Sequence, residues 1–169
     1  KVLTISGVSA TNRVYDGTTA VALTGGALVG VESGDTVTLG GTPSGTVASA
    51  AVGAVKAVTV SGYTLGGASA SNYSLPNQPT GVNVAITAKV LTISGVSATN
   101  RVYDGTTAVA LTGGSLVGVV NGDTVTLGGT PSGTVASAAV GTGKAVTVAG
   151  YTLGGGDALN YSVTQPTGV

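Results

Sequence analysis

The sequence of 169 residues contains no histidine, cysteine, methionine, tryptophan or phenylalanine. Without cysteine there is no disulfide framework, although secreted bacterial proteins so commonly do without it that its absence does not fix the compartment. Without histidine or cysteine, the chain cannot form a histidine-based triad, a thiol nucleophile or a zinc site of the usual ligand set. Methionine is missing even at position 1, which predicts a piece of a longer chain with any export signal upstream.

Charge is also scarce. Six Lys and Arg residues balance six Asp and Glu residues, so no net charge attracts nucleic acid or an anionic membrane. No apolar run approaches the roughly 18 residues of a membrane-spanning helix, and we expect no membrane insertion. A glycosidase needs two carboxylates facing one bond, and each half of the chain has few: Asp16, Glu32 and Asp35 in the first, Asp104, Asp123 and Asp157 in the second. We therefore expect no enzymatic activity, no catalytic residues and no cofactor.

The chain does contain 42% apolar residues, arranged in alternating Val, Leu and Ile patterns and interrupted by 30 glycines. Strand-like segments recur about every 8–12 residues, and no helical period is longer than one turn. These patterns predict an all-β protein made of antiparallel sandwich or barrel-like modules, and the segment at residues 157–161, described below, favours tandem immunoglobulin-like β-sandwiches. The cores must consist of aliphatic side chains and the six tyrosines.

A repeat divides the chain. The heptapeptide Arg-Val-Tyr-Asp-Gly-Thr-Thr at residues 13–19 returns unchanged at residues 101–107, an offset of 88 (101 − 13). We predict two tandem modules, residues 1–88 and residues 89–169. The first module is expected to close with a strand at residues 82–87, and the counterpart of this strand is truncated in the second module. Only Ala88 separates that closing strand from the first strand of the second module. Because no flexible spacer exists there, we expect a semi-rigid, elongated array.

The repeated heptapeptide is centred on an Asp-Gly turn. Gly17 can adopt a positive φ, and the Asp16 carboxylate can accept hydrogen bonds from nearby backbone N–H groups. Strand-prone residues on both sides predict a hairpin corner with Tyr15 as its packing anchor. A ligand-contacting Tyr-Asp pair, or a weak calcium site on Asp16 or Asp35, is the less favoured alternative. The predicted turn and corner residues are Tyr15, Asp16, Gly17, Tyr73, Tyr103, Asp104, Gly105 and Tyr161.

Local signals predict further boundaries. Gly25-Gly26 is expected to end a strand, residues 35–39 to form the most regular strand of the module, and residues 40–43 to turn. The apolar parity switches within residues 57–65, which predicts a bulge at Ser61-Gly62. Residues 157–161 resemble the segment that leads into strand F of immunoglobulin-like folds, where a tyrosine hydroxyl pins a corner.

The two copies differ at few positions, mainly in the predicted turns. Between residues 1–74 and 89–162 the nine differing pairs are Ala27/Ser115, Glu32/Val120, Ser33/Asn121, Ala54/Thr142, Val55/Gly143, Ser61/Ala149, Ala68/Gly156, Ser69/Asp157 and Ser71/Leu159. An enzyme seldom needs its site twice in succession, whereas a spacer needs repetition. The comparison of the copies therefore favours a structural role.

An ordered set of motifs covers both copies. It consists of Tyr-Asp-Gly-Thr-Thr at residues 15–19, Gly-Asp-Thr-Val at 34–37, Val-Gly at 52–53, Lys-Ala-Val at 56–58, Gly-Tyr-Thr-Leu at 62–65 and Asn-Tyr at 72–73. The set resembles the YDG repeats of very large bacterial surface adhesins related to filamentous haemagglutinin. The resemblance implies a secreted or cell-surface protein, associated with the outer membrane and often exported by a two-partner system. It implies arrays that project an adhesive region for attachment, aggregation or biofilm formation, and no catalytic residues.

We therefore expect spacer repeats of an adhesin stalk, whose partners are the neighbouring repeats of the same chain. The alternative is a carbohydrate-binding module, in which Tyr15, Tyr63 or Tyr73 stacks on the sugar rings of a glycan or matrix polysaccharide. Homotypic contacts between identical arrays are a third hypothesis.

Overall fold

The computed structural model describes all residues from Lys1 to Val169. Strands account for 53% of the chain and there is no α-helix, so the prediction of an all-β protein is confirmed. The chain divides into two compact units, unit 1 (Lys1–Thr87) and unit 2 (Ala88–Val169). No helix has the length and apolarity that crossing a bilayer requires.

Each unit contains short and long strands and one 3-10 turn. In unit 1 the strands are β1 (Thr4–Ala10), β2 (Arg13–Val14), β3 (Ala20–Val21), β4 (Leu23–Val29), β5 (Thr38–Val47), β6 (Gly53–Gly66) and β7 (Asn83–Thr87). In unit 2 they are β8 (Lys89–Ala98), β9 (Ala108–Val109), β10 (Leu111–Val117), β11 (Thr126–Val135), β12 (Val146–Gly154) and β13 (Tyr161–Val163). The 3-10 turns are Ala70–Asn72 and Ala158–Asn160.

Unit 1 has one small and one large sheet. The small sheet pairs β1 with β4, and the large one has the order β2-β7-β6-β5-β3. Most neighbours are antiparallel, but β2 runs parallel to β7, and Val2 forms a parallel bridge with Ser74. Antiparallel pairing therefore predominates, as predicted, and the parallel pairs make the sheets of unit 1 mixed.

Unit 2 repeats the pairing of unit 1 in two three-stranded sheets. Their orders are β10-β8-β13 and β12-β11-β9, and β13 runs parallel to β8. No strand of unit 2 has the position that β7 has in unit 1.

The core of each unit consists of aliphatic residues and tyrosines on the inward faces of these strands. Leu3, Val84 and Ile86 of unit 1 and Leu91 of unit 2 are at most 1% exposed. The other buried apolar residues are Tyr15, Val21, Val47, Val58, Val60, Tyr63 and Val82 in unit 1 and Val146, Val148, Tyr151 and Tyr161 in unit 2. No polar or charged residue is buried, so the burial of aliphatic and tyrosine surface is the main stabilising contribution.

Several predicted local boundaries are wrong. Gly25-Gly26 does not end a strand, because β4 runs through both glycines. Residues 35–37 precede β5 instead of belonging to it, and residues 40–43 lie inside β5 instead of in a turn. Gly25 and Gly41 adopt positive φ within paired strands, at 74° and 93°, and therefore produce irregularity without chain reversal.

The predicted bulge is present opposite the expected residues of β6. The register of β5 and β6 shifts between Gly41, which pairs with Tyr63, and Ser44, which pairs with Ser61. Two residues of β5 therefore lie opposite Gly62 alone. The extra residue belongs to β5 and not to the Ser61-Gly62 segment itself. On β6 the buried parity changes between Val60 and Tyr63, across Gly62, whose φ is 89°.

Candidate functional site

The repeated heptapeptide folds into a loop in which its Asp, Arg and Thr residues bond to one another. In unit 1, Asp16 Oδ1 accepts hydrogen bonds from Thr18 N and Thr18 Oγ1, both at 2.8 Å, and from the Arg13 guanidinium. Arg13 also donates to the Thr18 carbonyl oxygen, which closes the loop from both sides. Gly17 has a φ of 79°, a value that favours glycine.

Unit 2 builds the same loop. Asp104 Oδ1 accepts from Thr106 N and Thr106 Oγ1 at 2.9 Å and from Arg101, and Gly105 has a φ of 79°. The backbone hydrogen bond from Thr106, followed by the bonds from Arg101 and the Thr106 hydroxyl, lowers the pKa of Asp104 to about 2. At Asp16, burial acts to raise the pKa, but the bonds from Thr18 and Arg13 outweigh it and the pKa is lowered.

Acid should weaken both loops. A carboxyl group whose folded pKa lies below its unfolded value contributes stability above the unfolded value, and that contribution is lost as pH falls through the folded pKa. For Asp104 this window runs from the ordinary aspartate pKa of 3.8 down to the folded pKa of about 2. We expect Asp104→Asn and Asp16→Asn to flatten the acid loss of unfolding free energy, measured by urea titrations from about pH 5 to about pH 2.

The asparagine variants keep the Oδ1 acceptor and remove only the charge, so their circular dichroism at pH 7 should match that of the parent chain. If the unfolding free energy of both variants fell with pH as steeply as that of the parent chain, the stabilising role of the Asp16 and Asp104 charges would be contradicted.

The prediction of a hairpin corner at this loop is wrong. The strands on either side, β2 and β3, do not pair with each other, since β2 pairs with β7 and β3 pairs with β5. They form the two edges of the five-stranded sheet. The loop therefore joins opposite edges of one sheet, and the Asp-Gly turn is satisfied by its own Arg and Thr side chains instead of by a strand ladder.

The loop tyrosine has different surroundings in the two units. Tyr15 is 5% exposed, whereas Tyr103, at the same position of the repeat, is 64% exposed. In unit 1 the Tyr15 backbone N–H donates to the Thr87 carbonyl oxygen of β7 at 2.9 Å. Because the local sequence is identical, the presence of β7 and not the loop itself accounts for the difference.

The second predicted tyrosine of each unit ties two distant loops together. Tyr161 Oη accepts a hydrogen bond from Val120 N at 3.0 Å and donates one to Asp123. Tyr73 Oη likewise accepts from Glu32 N at 3.0 Å and donates to Asp35. The hydroxyl therefore fixes a loop about 40 residues upstream in both units. The replacement of Glu32 by Val120 does not remove the bond, because the donor is the backbone N–H group.

The pKa of both hydroxyl groups is raised. At Tyr73 the hydrogen bond to Asp35 is the largest cause, and at Tyr161 burial is the largest, followed by the bond to Asp123. A folded pKa above the unfolded value means that the contribution to stability is present below about pH 10 and is lost as pH rises through the folded value.

Replacing Tyr161 by Phe should lower the unfolding free energy of unit 2 by about 1–3 kcal/mol, because a hydrogen bond to a charged group is lost at a buried side chain. The variant should also lose part of the alkaline dependence of stability. Tyr103→Phe is the matched control in the same unit, because its exposed side chain predicts a change within about 0.5 kcal/mol. Equal effects of the two substitutions on thermal or urea unfolding would refute the role of the Tyr161 hydroxyl.

Sequence reasoning missed one recurring contact. Gln78 Oε1 accepts from Tyr63 N at 3.0 Å, and Gln78 Nε2 donates to Tyr63 O at 3.1 Å. Gln165 makes the same two bonds to Tyr151, at 3.1 and 2.9 Å. An amide side chain thus pairs with the backbone of β6 or β12 as a strand would. The signal was available, since the Gln-Pro-Thr-Gly-Val segment recurs in both copies despite the length difference just before it.

The carboxylates are dispersed. No group of three or more Asp, Glu, His or Cys residues could hold a metal ion. Asp16 and Asp104 serve their own loops, and Asp35 and Asp123 accept from tyrosine hydroxyls. What the site can do chemically is hold loops and strand edges in fixed positions.

The same hydrogen bonds occur within each unit, so the chain is an all-β protein made of two copies of one domain. One family model matches the chain twice, as a YDG domain over residues 1–81 and residues 87–168. The chain therefore belongs to the YDG-domain family, with one domain in each copy. No curated protein and no solved structure matches it.

Proposed function

We propose that this chain consists of structural spacer repeats from a secreted bacterial cell-surface adhesin, in which YDG domains project an adhesive region for attachment, aggregation or biofilm formation. Its partners are then neighbouring repeats of the same chain, and it needs no catalytic residue or cofactor. The proposal goes beyond family membership, which by itself assigns the domain and not the protein that carries it.

The observation that carries the proposal is how the polar and aromatic groups are used. Five of the six tyrosines are buried or half-buried, and the hydroxyls of Tyr73 and Tyr161 bond to loops of their own unit. Arg13, Asp16 and their counterparts in unit 2 likewise bond within their own loop. Groups that could recognise a ligand therefore hold the domain together, which is what a spacer requires.

The differences between the copies support the same role. None of the nine differing pairs has a buried member in either unit, so the variation leaves both cores intact. The buried aliphatic residues are thus identical in the two copies, whereas exposed and half-buried residues differ. This is expected when selection maintains a stable domain that can be repeated.

For the finer architecture we propose immunoglobulin-like sandwiches in an elongated tandem. Small-angle scattering tests the elongation. A single globule of this length has a radius of gyration of about 15 Å, and a tandem of two domains end to end should give a value well above it. A radius of gyration near the globular value would end the spacer proposal.

The alternative function is direct binding of a glycan or matrix polysaccharide through tyrosines, and Tyr103 is the side chain that favours it because it is 64% exposed. A glycan array separates the two functions. The spacer proposal expects no signal above background, whereas a signal that Tyr103→Ala abolishes would support the binding module. Homotypic association, the third candidate, would appear as concentration-dependent sedimentation of the isolated chain.

A further inference from the structure

One turn differs chemically between the two units. In unit 2 it runs from Val120 to Asp123, and Asp123 N donates to Val120 O at 3.1 Å. Gly122 has a φ of 95°, whereas no residue other than glycine has a positive φ, a combination typical of a type II turn. Asn121 and Gly122 therefore occupy the central positions of this turn, and both are exposed.

Unit 1 forms the same turn without an asparagine. Asp35 N donates to Glu32 O at 3.2 Å, and Gly34 has a φ of 92°. The residue before that glycine is Ser33, where unit 2 has Asn121. The geometry of the turn therefore does not require an amide side chain, and unit 1 is a natural control for the chemistry of Asn121.

Asn-Gly is the sequence in which an asparagine side chain reacts most readily with its own backbone. The backbone nitrogen of the second residue attacks the side-chain amide carbon, and glycine has no side chain to hinder the approach. Asn121-Gly122 is the only such pair in the chain. All other asparagines precede a larger residue, and they are Asn12, Asn72, Asn77, Asn83, Asn100 and Asn160.

The reacting groups of this pair are accessible. Nothing lies within 4 Å of a Cβ built on Gly122. The Gly122 N–H and the Asn121 side chain take part in no hydrogen bond. The turn lies between β10 and β11 and belongs to neither strand. The rotation that brings the Gly122 nitrogen onto the Asn121 amide carbon therefore breaks no strand pairing.

The two Asp-Gly pairs of the chain are protected from the same cyclisation. Ring closure at an aspartate requires the neutral carboxyl group, because the ionised group is a poor electrophile. Asp16 and Asp104 accept hydrogen bonds from Arg and Thr groups, which favour the ionised form. The amide of Asn121 is uncharged and has no such protection.

The reactive pair lies between the two groups that hold the Tyr161 hydroxyl. Val120 N, directly before Asn121, donates to Tyr161 Oη at 3.0 Å. Asp123, directly after Gly122, accepts a hydrogen bond from the same hydroxyl. A longer backbone between Val120 and Asp123 would therefore change the separation of the two partners of one hydroxyl group.

We propose that Asn121-Gly122 is a site of spontaneous deamidation, and that the modification loosens the bonds of Tyr161 in unit 2 as the protein ages. Gly122 N forms a bond to Asn121 Cγ and gives up its proton, and the side-chain nitrogen leaves as ammonia. Water then opens the cyclic succinimide at one of its two carbonyl carbons, which yields aspartate or isoaspartate. The inference concerns the chemistry of unit 2 and does not rest on the spacer function.

Both products change the turn. Each carries a new negative charge close to Asp123, which already accepts from the Tyr161 hydroxyl. In isoaspartate the backbone runs through the former side chain, so the turn also gains one methylene group. The lengthened backbone is the change that separates the two partners of the hydroxyl.

Incubation of the chain, followed by peptide mass mapping, tests the reaction. At about pH 8 we expect a mass gain of about 1 Da in the peptide that contains residue 121. Because the nitrogen attacks as its conjugate base, the gain should be at least about threefold slower at about pH 6. Asn121→Ser, which introduces the residue of unit 1, is the matched control and should show no gain in this peptide.

Amide exchange of the separated isoaspartate form tests the structural consequence. Exchange at Val120 should be at least about tenfold faster than in the unmodified chain, because its N–H loses the Tyr161 hydroxyl. Glu32, whose N–H donates to Tyr73 in unit 1, is the internal reference and should be unchanged. Freshly purified Asn121→Asp carries the charge without the methylene and should keep the slow exchange at Val120.

Two results would overturn the proposal. The first is deamidation at Asn121 that is no faster than at Asn72 and Asn160, which precede tyrosines. The second is an isoaspartate form in which Val120 exchanges as slowly as in the unmodified chain, since the bonds of Tyr161 would then survive the modification.

Discussion

Gly62→Ala should destabilise unit 1 by about 3–5 kcal/mol, because it combines an unfavourable backbone conformation with a clash. Gly62 has a φ of +89°, and a Cβ built on it would lie 2.3 Å from the carbonyl oxygen of Thr42. That oxygen belongs to the bulged segment of β5, so relief of the clash requires β5 and β6 to separate. Urea unfolding of unit 1, followed by amide exchange of β5 and β6, measures the loss.

The matched control is Gly34→Ala, which isolates the backbone contribution. Gly34 has a φ of +92°, close to that of Gly62, but nothing lies within 4 Å of the added Cβ. Its cost should be about 1–2 kcal/mol. The repeat supplies a second copy of the experiment, since Gly150 has a φ of +91° and its Cβ would lie 2.4 Å from Thr130 O. Equal losses for Gly62→Ala and Gly34→Ala would show that the close approach of the strands is not what requires glycine.

Leu3→Ala and Leu91→Ala should each destabilise their own unit by about 2–5 kcal/mol, because each leaves a cavity in a close-packed core. The two leucines have the same position in the repeat and are 1% and 0% exposed. Thermal unfolding, resolved by exchange of amides in unit 1 and unit 2, measures each loss separately.

The preceding residues provide the controls. Val2 and Val90 are 59% and 57% exposed, and in an extended chain their side chains point away from those of Leu3 and Leu91. Val2→Ala and Val90→Ala should change stability by no more than about 0.5 kcal/mol. A loss at Val90 comparable to that at Leu91 would mean that the alternation of buried and exposed residues is not what stabilises this strand.

The sequence predicted strand content and the place of the bulge because both depend on local signals. Val58, Val60 and Tyr63 are all buried, and the change from even to odd numbering between them requires an irregularity near Gly62. The sequence could not predict that the extra residue lies on β5, since this depends on the register of a partner strand. The same limit explains the error at Gly25-Gly26, where a glycine pair that ends many strands instead allows β4 to continue opposite β1.

The sequence predicted which residues form the candidate site, but it did not predict their hydrogen-bond partners. The Asp-Gly turn and the tyrosines at equivalent positions of the two copies were visible as motifs that recur at one offset, and the same motifs carried the family resemblance. The partner of each tyrosine hydroxyl was not visible, because Tyr161 bonds to a loop 41 residues away in sequence. Secretion, adhesion and the spacer role are not tested by the fold and stay proposals.

By itself, the sequence determined that this protein is a repeated all-β domain with aliphatic cores and self-satisfied Asp-Gly loops, because these properties depend on alternation, composition and bonds between residues a few positions apart. The tertiary structure alone decided which strands pair and which side chains are buried. Tyr15 and Tyr103 have identical local sequences, yet one is buried and the other exposed. The reason is that the burial of Tyr15 depends on β7, whose Ala85 is held by Asn12 from 73 residues away, and a contact of that range is a property of the folded chain.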